Sequence, residues 1–128
     1  MTTTLVPVVT NLTHHSFLWE EPAVKYFHII RYIYFIMNLH KYLAEFLGAA
    51  ALVYVILATG NAFAIGATLT IVILAIGSIS GGHINPAVSF AMVSAGQLDI
   101  TQLIPYIVSQ ILGGLVALEI YRRYKFKM

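Results

Sequence analysis

Asn85 and Pro86, led by Gly81-Gly82-His83-Ile84 and followed by Ala87 and Val88, form the stretch whose residue types and order best suit chemistry. An asparagine side-chain oxygen accepts a hydrogen bond from an otherwise unpaired helix N–H, and proline at the first helical position loses nothing by lacking its own N–H. Asn85-Pro86 therefore predicts a helix start. Ala87 to Ala95 is apolar and Gly96 ends it, so the helix has about nine residues and, at about 1.5 Å each, a length of roughly 14 Å. That is half of a hydrocarbon core near 30 Å. Inside a membrane such a helix stops at mid-depth, with its first N–H groups and positive dipole end left there. Asn85 can cap the helix with its oxygen and still offer amide hydrogens to a passing oxygen atom. The extended stretch before it can turn a row of carbonyls toward the same space. Donors at mid-depth, with acceptors leading to them, make a path for small hydrogen-bonding solutes, and the dipole end repels cations.

The elements that must position this stretch are apolar. The 128 residues are 59% hydrophobic and 9% charged, with no cysteine, and the mean hydropathy is +0.84. A soluble domain carries about 25% charged residues, so lipid is the expected solvent. Three runs suit membrane spans: Leu43 to Ala58, apolar except for Glu45; Ala62 to Ile79, without a charge; and Leu103 to Tyr121, with Gln110 inside it. The expected fold is an all-α membrane protein, three transmembrane helices plus one re-entrant half-helix. Small residues four apart, Gly77/Gly81 and Gly113/Ala117, permit close helix contact.

Outside this block, residues 1–22 read as a flexible polar tail ending at Pro22. With no Lys or Arg and no sustained apolar run, the start does not read as a secretory signal. Its His14-His15 pair reads as part of the tail rather than a metal site, and Asn11-Leu12-Thr13 fits a glycosylation pattern common by chance. Residues 23–41 mix aromatic and apolar side chains with His28, Arg31 and Asn38, which suits an amphipathic helix lying at headgroup level. The rival is an extra spanning helix, with Arg31 near its centre. Residues 42–122 hold the spans, and 123–128 form a basic tail. Because the seven basic residues cluster beside the apolar runs, they read as membrane anchoring, with no nucleic acid as partner. The lack of cysteine excludes thiolate metal sites and disulfides. The five acids are scattered and no Ser/His/Asp set occurs, so neither an enzyme nor a cofactor is expected.

SGGHINPAVSFAM, with the NPA signature at Asn85, Pro86 and Ala87, resembles the first half of the aquaporin/aquaglyceroporin (major intrinsic protein) family. AEFLGAAALV is similar to that family's first helix, AFAIGATLTIVILAIGSISGGHINPAVSF to its second helix and re-entrant loop, and YIVSQILGGLVA to its third helix. The likeness runs from about Lys41 to Tyr121. It implies a passive channel for water or small neutral solutes such as glycerol and urea. It also implies that Asn85 donates to the permeating molecule and that Gly81, Gly82, His83 and Ile84 lend their carbonyls. Glu45 and Gln110 match the family's buried polar residues that brace the NPA loop. Read by themselves, Glu45 could equally be a carboxylate near the interface and Gln110 a helix–helix hydrogen-bonding residue. Ile65 matches the family's filter position on the second helix, and Val88 stands where the second repeat has arginine. Ile73, with Gly82, would complete the wall in an inverted copy. Such a constriction is apolar and uncharged.

Family members carry two repeats, inverted relative to each other, whose half-helices meet at mid-bilayer. One repeat is found here. The expectation is a homo-oligomer with inverted copies in the lipid bilayer, two antiparallel chains imitating one full channel. The alternative is a non-conducting or regulatory half-channel subunit that needs a complementary half. Lys25, Arg31 and Lys41 flank one side of the spans, and Arg122, Arg123, Lys125 and Lys127 the other. That balance leaves little positive-inside bias, as dual insertion requires.

Overall fold

The computed structural model describes residues 17–124, with side chains from residue 23. The Asn11-Leu12-Thr13 and His14-His15 motifs, Lys125 and Lys127 lie outside the described residues. Among the described residues there are five helices and no strand: α1 (Phe17–Met37), α2 (Leu39–Thr59), α3 (Ala62–Ser80), α4 (Pro86–Ser94) and α5 (Ile100–Tyr124). The architecture is the all-α membrane fold expected. Helices α2, α3 and α5 are long and apolar enough to cross a membrane, and the nine-residue α4 lies between the second and third of them.

The chain divides into two compact units, one holding α1 and the other α2 to α5. In the first, the helix begins at Phe17, ahead of Pro22, where the sequence places the end of a tail. Proline costs a helix its own N–H bond and crowds the preceding turn, and here the helix carries it. This helix ends at Met37, and Lys41 belongs to α2 rather than to a helix reaching 41.

In the second unit, local capping sets the element boundaries. Gly60 takes a left-handed conformation (φ 58°) and closes α2 with its N–H on the Ile56 carbonyl. Asn61 then opens α3, its Oδ1 accepting from the N–H groups of Phe63 and Ala64 at 2.9 and 3.1 Å. Gly81 (φ 91°) ends α3 with its N–H on the Gly77 carbonyl. The chain then runs without helix through Ile84 to α4.

Helix α2 is the hub, packed on both α5 and α3, while α4 packs on α5. Glycine makes the closest approach possible. A Cβ at Gly113 on α5 would overlap the carbonyl oxygen of Phe46 on α2, and one at Gly48 would come within 2.9 Å of Ile76 and Val72 on α3. Gly113 and Ala117 are both buried, whereas the other small pair does no such work: a Cβ at Gly77 would meet only Ile73 of its own helix, at 3.9 Å. Helix α3 is the open side. None of its spanning window is buried, against 28% for α2 and for α5, so beyond the strip that carries Val72 and Ile76 against Gly48 its apolar side chains are left uncovered.

Candidate functional site

The half-helix starts as its sequence demands. Asn85 is extended (φ −146°, ψ 128°), Pro86 follows at the first helical turn, and the Asn85 Oδ1 accepts from the Ala87 N–H at 2.9 Å. The Asn85 carbonyl accepts from the Ser89 N–H at 3.0 Å. With its oxygen engaged in the cap, the Asn85 amide nitrogen has no partner among the described residues. The side chains at Asn85, Ala87 and Val88 are exposed. Before them the backbone is forced into unusual shapes: Gly82 has φ 64° and Ile84 has φ 45°. For glycine the left-handed region carries no steric penalty, but for a β-branched residue it is a true outlier. Among the described residues, no donor reaches the carbonyl oxygens of Gly81, Gly82, His83 or Ile84.

The strained lead-in is held from behind by Glu45. This α2 carboxylate is fully buried, and each of its oxygens accepts two hydrogen bonds. Oε1 accepts from the His83 N–H at 2.9 Å and from the Ser80 hydroxyl at 2.7 Å. Oε2 accepts from the Ile84 N–H and from Gln110 Nε2, the latter at 2.9 Å. Four donors fill the lone-pair sites of one carboxylate, which is how a buried acidic group is accommodated without a cation beside it. Gln110 on α5 also donates to Ser89 Oγ at 2.8 Å, tying the half-helix into the same network. Its other amide atom, Oε1, is buried without a partner among the described residues.

Several members of this seam carried no signal in the sequence. Ser89 is fully buried, with its Oγ 3.2 Å from His83 Nδ1. The Ser80 hydroxyl donates to Glu45, with the Ile76 carbonyl a longer acceptor at 3.4 Å, and accepts from the Gly82 N–H at 3.2 Å. Tyr106 donates to the Ser80 carbonyl at 2.7 Å, and its ring lies 5.3 Å from that of His83 and 5.9 Å from that of Tyr42. Tyr42 in turn donates to Gln102 Oε1 at 3.0 Å. Spacing gave no clue to Ser89, because it stands four residues beyond an Asn85 whose side chain is exposed.

The structure thus brings Glu45, Gln110, His83 and Ile84 together and leaves the three filter candidates apart. Ile65 is half-buried on the first turns of α3, Ile73 is exposed in its middle, and Val88 is exposed on α4. Helices α3 and α4 do not pack on one another. Ile73 does border the lead-in, since a Cβ at Gly82 would lie 3.4 Å from the Ile73 Cα.

A buried acidic clamp behind a capped half-helix, carried by three apolar helices, is accompanied by a family match. The profile described as "Major intrinsic protein" covers residues 33–127, and the chain belongs to that family. It is an integral membrane protein. It is 44% identical over 88 residues to glycerol uptake facilitator protein-like 6 of Lactiplantibacillus plantarum, which covers 62% of this chain and 41% of that relative. It is 45% identical over 58 residues to aquaporin Z of Photorhabdus laumondii, covering 45% of this chain and 25% of the relative. With aquaporin NIP1-1 of Arabidopsis thaliana it shares 37% identity over 93 residues, 62% of this chain and 31% of the relative. The chain thus spans well under half the length of these relatives. No solved structure matches it.

Proposed function

We propose that residues 42–122 form half of a passive transmembrane channel for water and small neutral solutes such as glycerol and urea, and that a second copy in inverted orientation completes the pore. The observation that carries this reading is the tip of α4. Its cap consumes the Asn85 oxygen and leaves the amide on an exposed side chain, and the four residues just before it carry carbonyls without protein donors among the described residues. A permeating molecule that both donates and accepts hydrogen bonds would replace its lost hydration there, while the positive end of the helix dipole repels cations. Glu45 and Gln110 would act from behind, holding the lead-in open.

Pairing is supported by exposure and charge. A half-helix tip facing hydrocarbon costs several kcal/mol per unsatisfied group, so a protein surface or water must meet it. A counter-facing copy would offer the same tip, and the uncovered apolar side of α3 gives it a surface to pack on. Basic residues flank both sides of the spans in nearly equal number, so neither orientation is strongly favoured. In such a pair Ile65, Ile73, Gly82 and Val88 would line an apolar constriction without arginine. Weak discrimination among small neutral solutes is expected, with proton exclusion resting on the Asn85 pair and the helix dipoles.

The test is reconstitution of the purified chain alone, following vesicle volume with water and with glycerol gradients, a pH dye inside, and tags on both termini mapped for sidedness. Conduction of both solutes without a proton leak, by an even-numbered complex with tags on both faces, is expected. A stable monomer, or copies all inserted one way, would overturn the inverted pair. Conduction only after a complementary half-channel is added would assign the chain a subunit role instead.

A further inference from the structure

Helix α1 lies largely outside the family match, which begins at residue 33, and the channel reading makes no use of it. All its described side chains, residues 23–37, are exposed within the chain. At 3.6 residues per turn they sort into two sides. Tyr26, Ile29, Ile30, Ile33, Tyr34 and Met37 fall on one half of the helix, and every described charged or titratable side chain other than tyrosine, namely Lys25, His28 and Arg31, falls on the other. Tyr32, Val24 and Phe35 share the basic half, so it is an amphipathic edge rather than a fully polar face.

We infer that α1 lies along the membrane surface, with its apolar half in the acyl boundary and Lys25 and Arg31 directed at the phosphodiester groups of phospholipids. Neither cation has a carboxylate partner among the described residues, where the ion pair present is Arg123 with Glu119. Arg31 instead sits over the Phe27 ring, 5.6 Å from its centroid. A cation resting on an aromatic ring keeps its outer face for a phosphate, and rings of this kind are at home at headgroup level. Chain connectivity supplies the rest of the argument. Met37 is followed by Asn38 and then at once by Leu39, where a membrane-spanning helix begins, so the last turn of α1 is tethered to a point where the chain enters the bilayer. Crossing would place His28 and Arg31 in the hydrocarbon, where ionisable groups are expensive; lying flat places every residue in a suitable medium.

The chain has no cysteine, so single cysteines report cleanly. The full chain is reconstituted with His28→Cys, Ile30→Cys, Tyr32→Cys or Ile33→Cys, and each variant is labelled with a membrane-impermeant maleimide from both sides, with denatured protein as the reference rate. Fast labelling of H28C and Y32C, with I30C and I33C slower by about tenfold or more, is the expected pattern for a helix half-immersed in the interface. Protection of all four positions would mean that α1 crosses the bilayer, and uniform fast labelling would mean that it is free of it; either overturns the inference. Adding Arg31→Glu to the I30C variant tests the phosphate contact. Faster labelling of I30C than in the parent is expected, and an unchanged rate would overturn the assignment of phosphate to Arg31.

Discussion

The polar seam around Glu45 and the tip of α4 adjoin at His83, Ile84 and Ser89, yet they treat their hydrogen-bonding groups oppositely. In the seam, Glu45, Ser89 and Gln110 are buried, and Glu45 alone accepts from four donors. At the tip, the Asn85 amide and the lead-in carbonyls have no protein partners among the described residues, and the side chains of Asn85, Ala87 and Val88 are exposed. A buried polar group left unpaired costs about 1–3 kcal/mol, so the seam is closed internally except at Gln110 Oε1. The tip can stay open only because water, a solute or another protein surface meets it. If the chain conducts as proposed, the difference separates stability from transport: damage to the seam should cost the fold, and damage to the tip should cost flux.

The largest effect should come from Glu45→Ala, which leaves the buried N–H groups of His83 and Ile84 without an acceptor, at about 1–3 kcal/mol each before relaxation. Gln110 and Ser80 keep Ser89 Oγ and the Ile76 carbonyl as alternatives. The variant is expected to lose its folded form in detergent, read as the temperature at which its size-exclusion peak disappears. An unchanged melting point would erase the distinction between seam and tip. Gly113→Val comes next, because its side chain would collide with the Phe46 carbonyl and overpacking of this kind costs about 1–3 kcal/mol. Gly66→Ala is its control: nothing lies within 4 Å of the added Cβ, so melting should hold or rise slightly, alanine being the better helix former by up to about 1 kcal/mol.

Asn85→Asp sharpens the comparison from the other side. Aspartate caps a helix as well as asparagine, so melting should stay within about 0.5 kcal/mol of the parent. The amide donor becomes a carboxylate, and hydrogen bonds to a charged group are stronger by roughly 1–2 kcal/mol. That would slow neutral solutes on the order of tenfold, read by vesicle shrinkage. If flux holds while Asn85 is changed, the tip is not the conducting element.

The smallest effect belongs to Asp99, outside the spans. Its Oδ1 accepts from the Thr101 hydroxyl at 2.6 Å and the Thr101 N–H at 2.8 Å. Those two bonds, the hydroxyl first, hold the carboxyl below the ordinary aspartate range. A carboxyl lowered on folding adds stability above its unfolded pKa of about 3.9, and the contribution fades as pH falls through the lower folded value. Melting of the parent should therefore dip slightly in that acid range relative to Asp99→Ala. Parallel curves would show that the exposed contact contributes nothing.

Elements whose limits are local were legible in the sequence. Asn85-Pro86 places the start of α4, and the structure runs it over Pro86–Ser94. The run expected from Leu43 to Ala58 extends over Leu39–Thr59, and that from Leu103 to Tyr121 over Ile100–Tyr124. Apolar composition marks where hydrocarbon begins, whereas a helix continues until a cap stops it, through His40 and Lys41 at one end and Arg122 and Arg123 at the other. The start of α1 was not legible, because Pro22 reads as a boundary and the helix passes through it.

Apolar runs, capping residues and left-handed glycines act over a handful of neighbours, so the order of residues alone determined three spans, a half-length helix and an asparagine at its mouth. Which groups satisfy which was decided elsewhere. Glu45 meets the N–H groups of residues 38 and 39 positions further along the chain and an amide 65 positions away, and nothing in its own surroundings distinguishes it from a carboxylate at the lipid boundary. Those partners converge because Gly113 lets α5 come against the Phe46 carbonyl of α2, which brings Gln110 to an acid that is sealed from water.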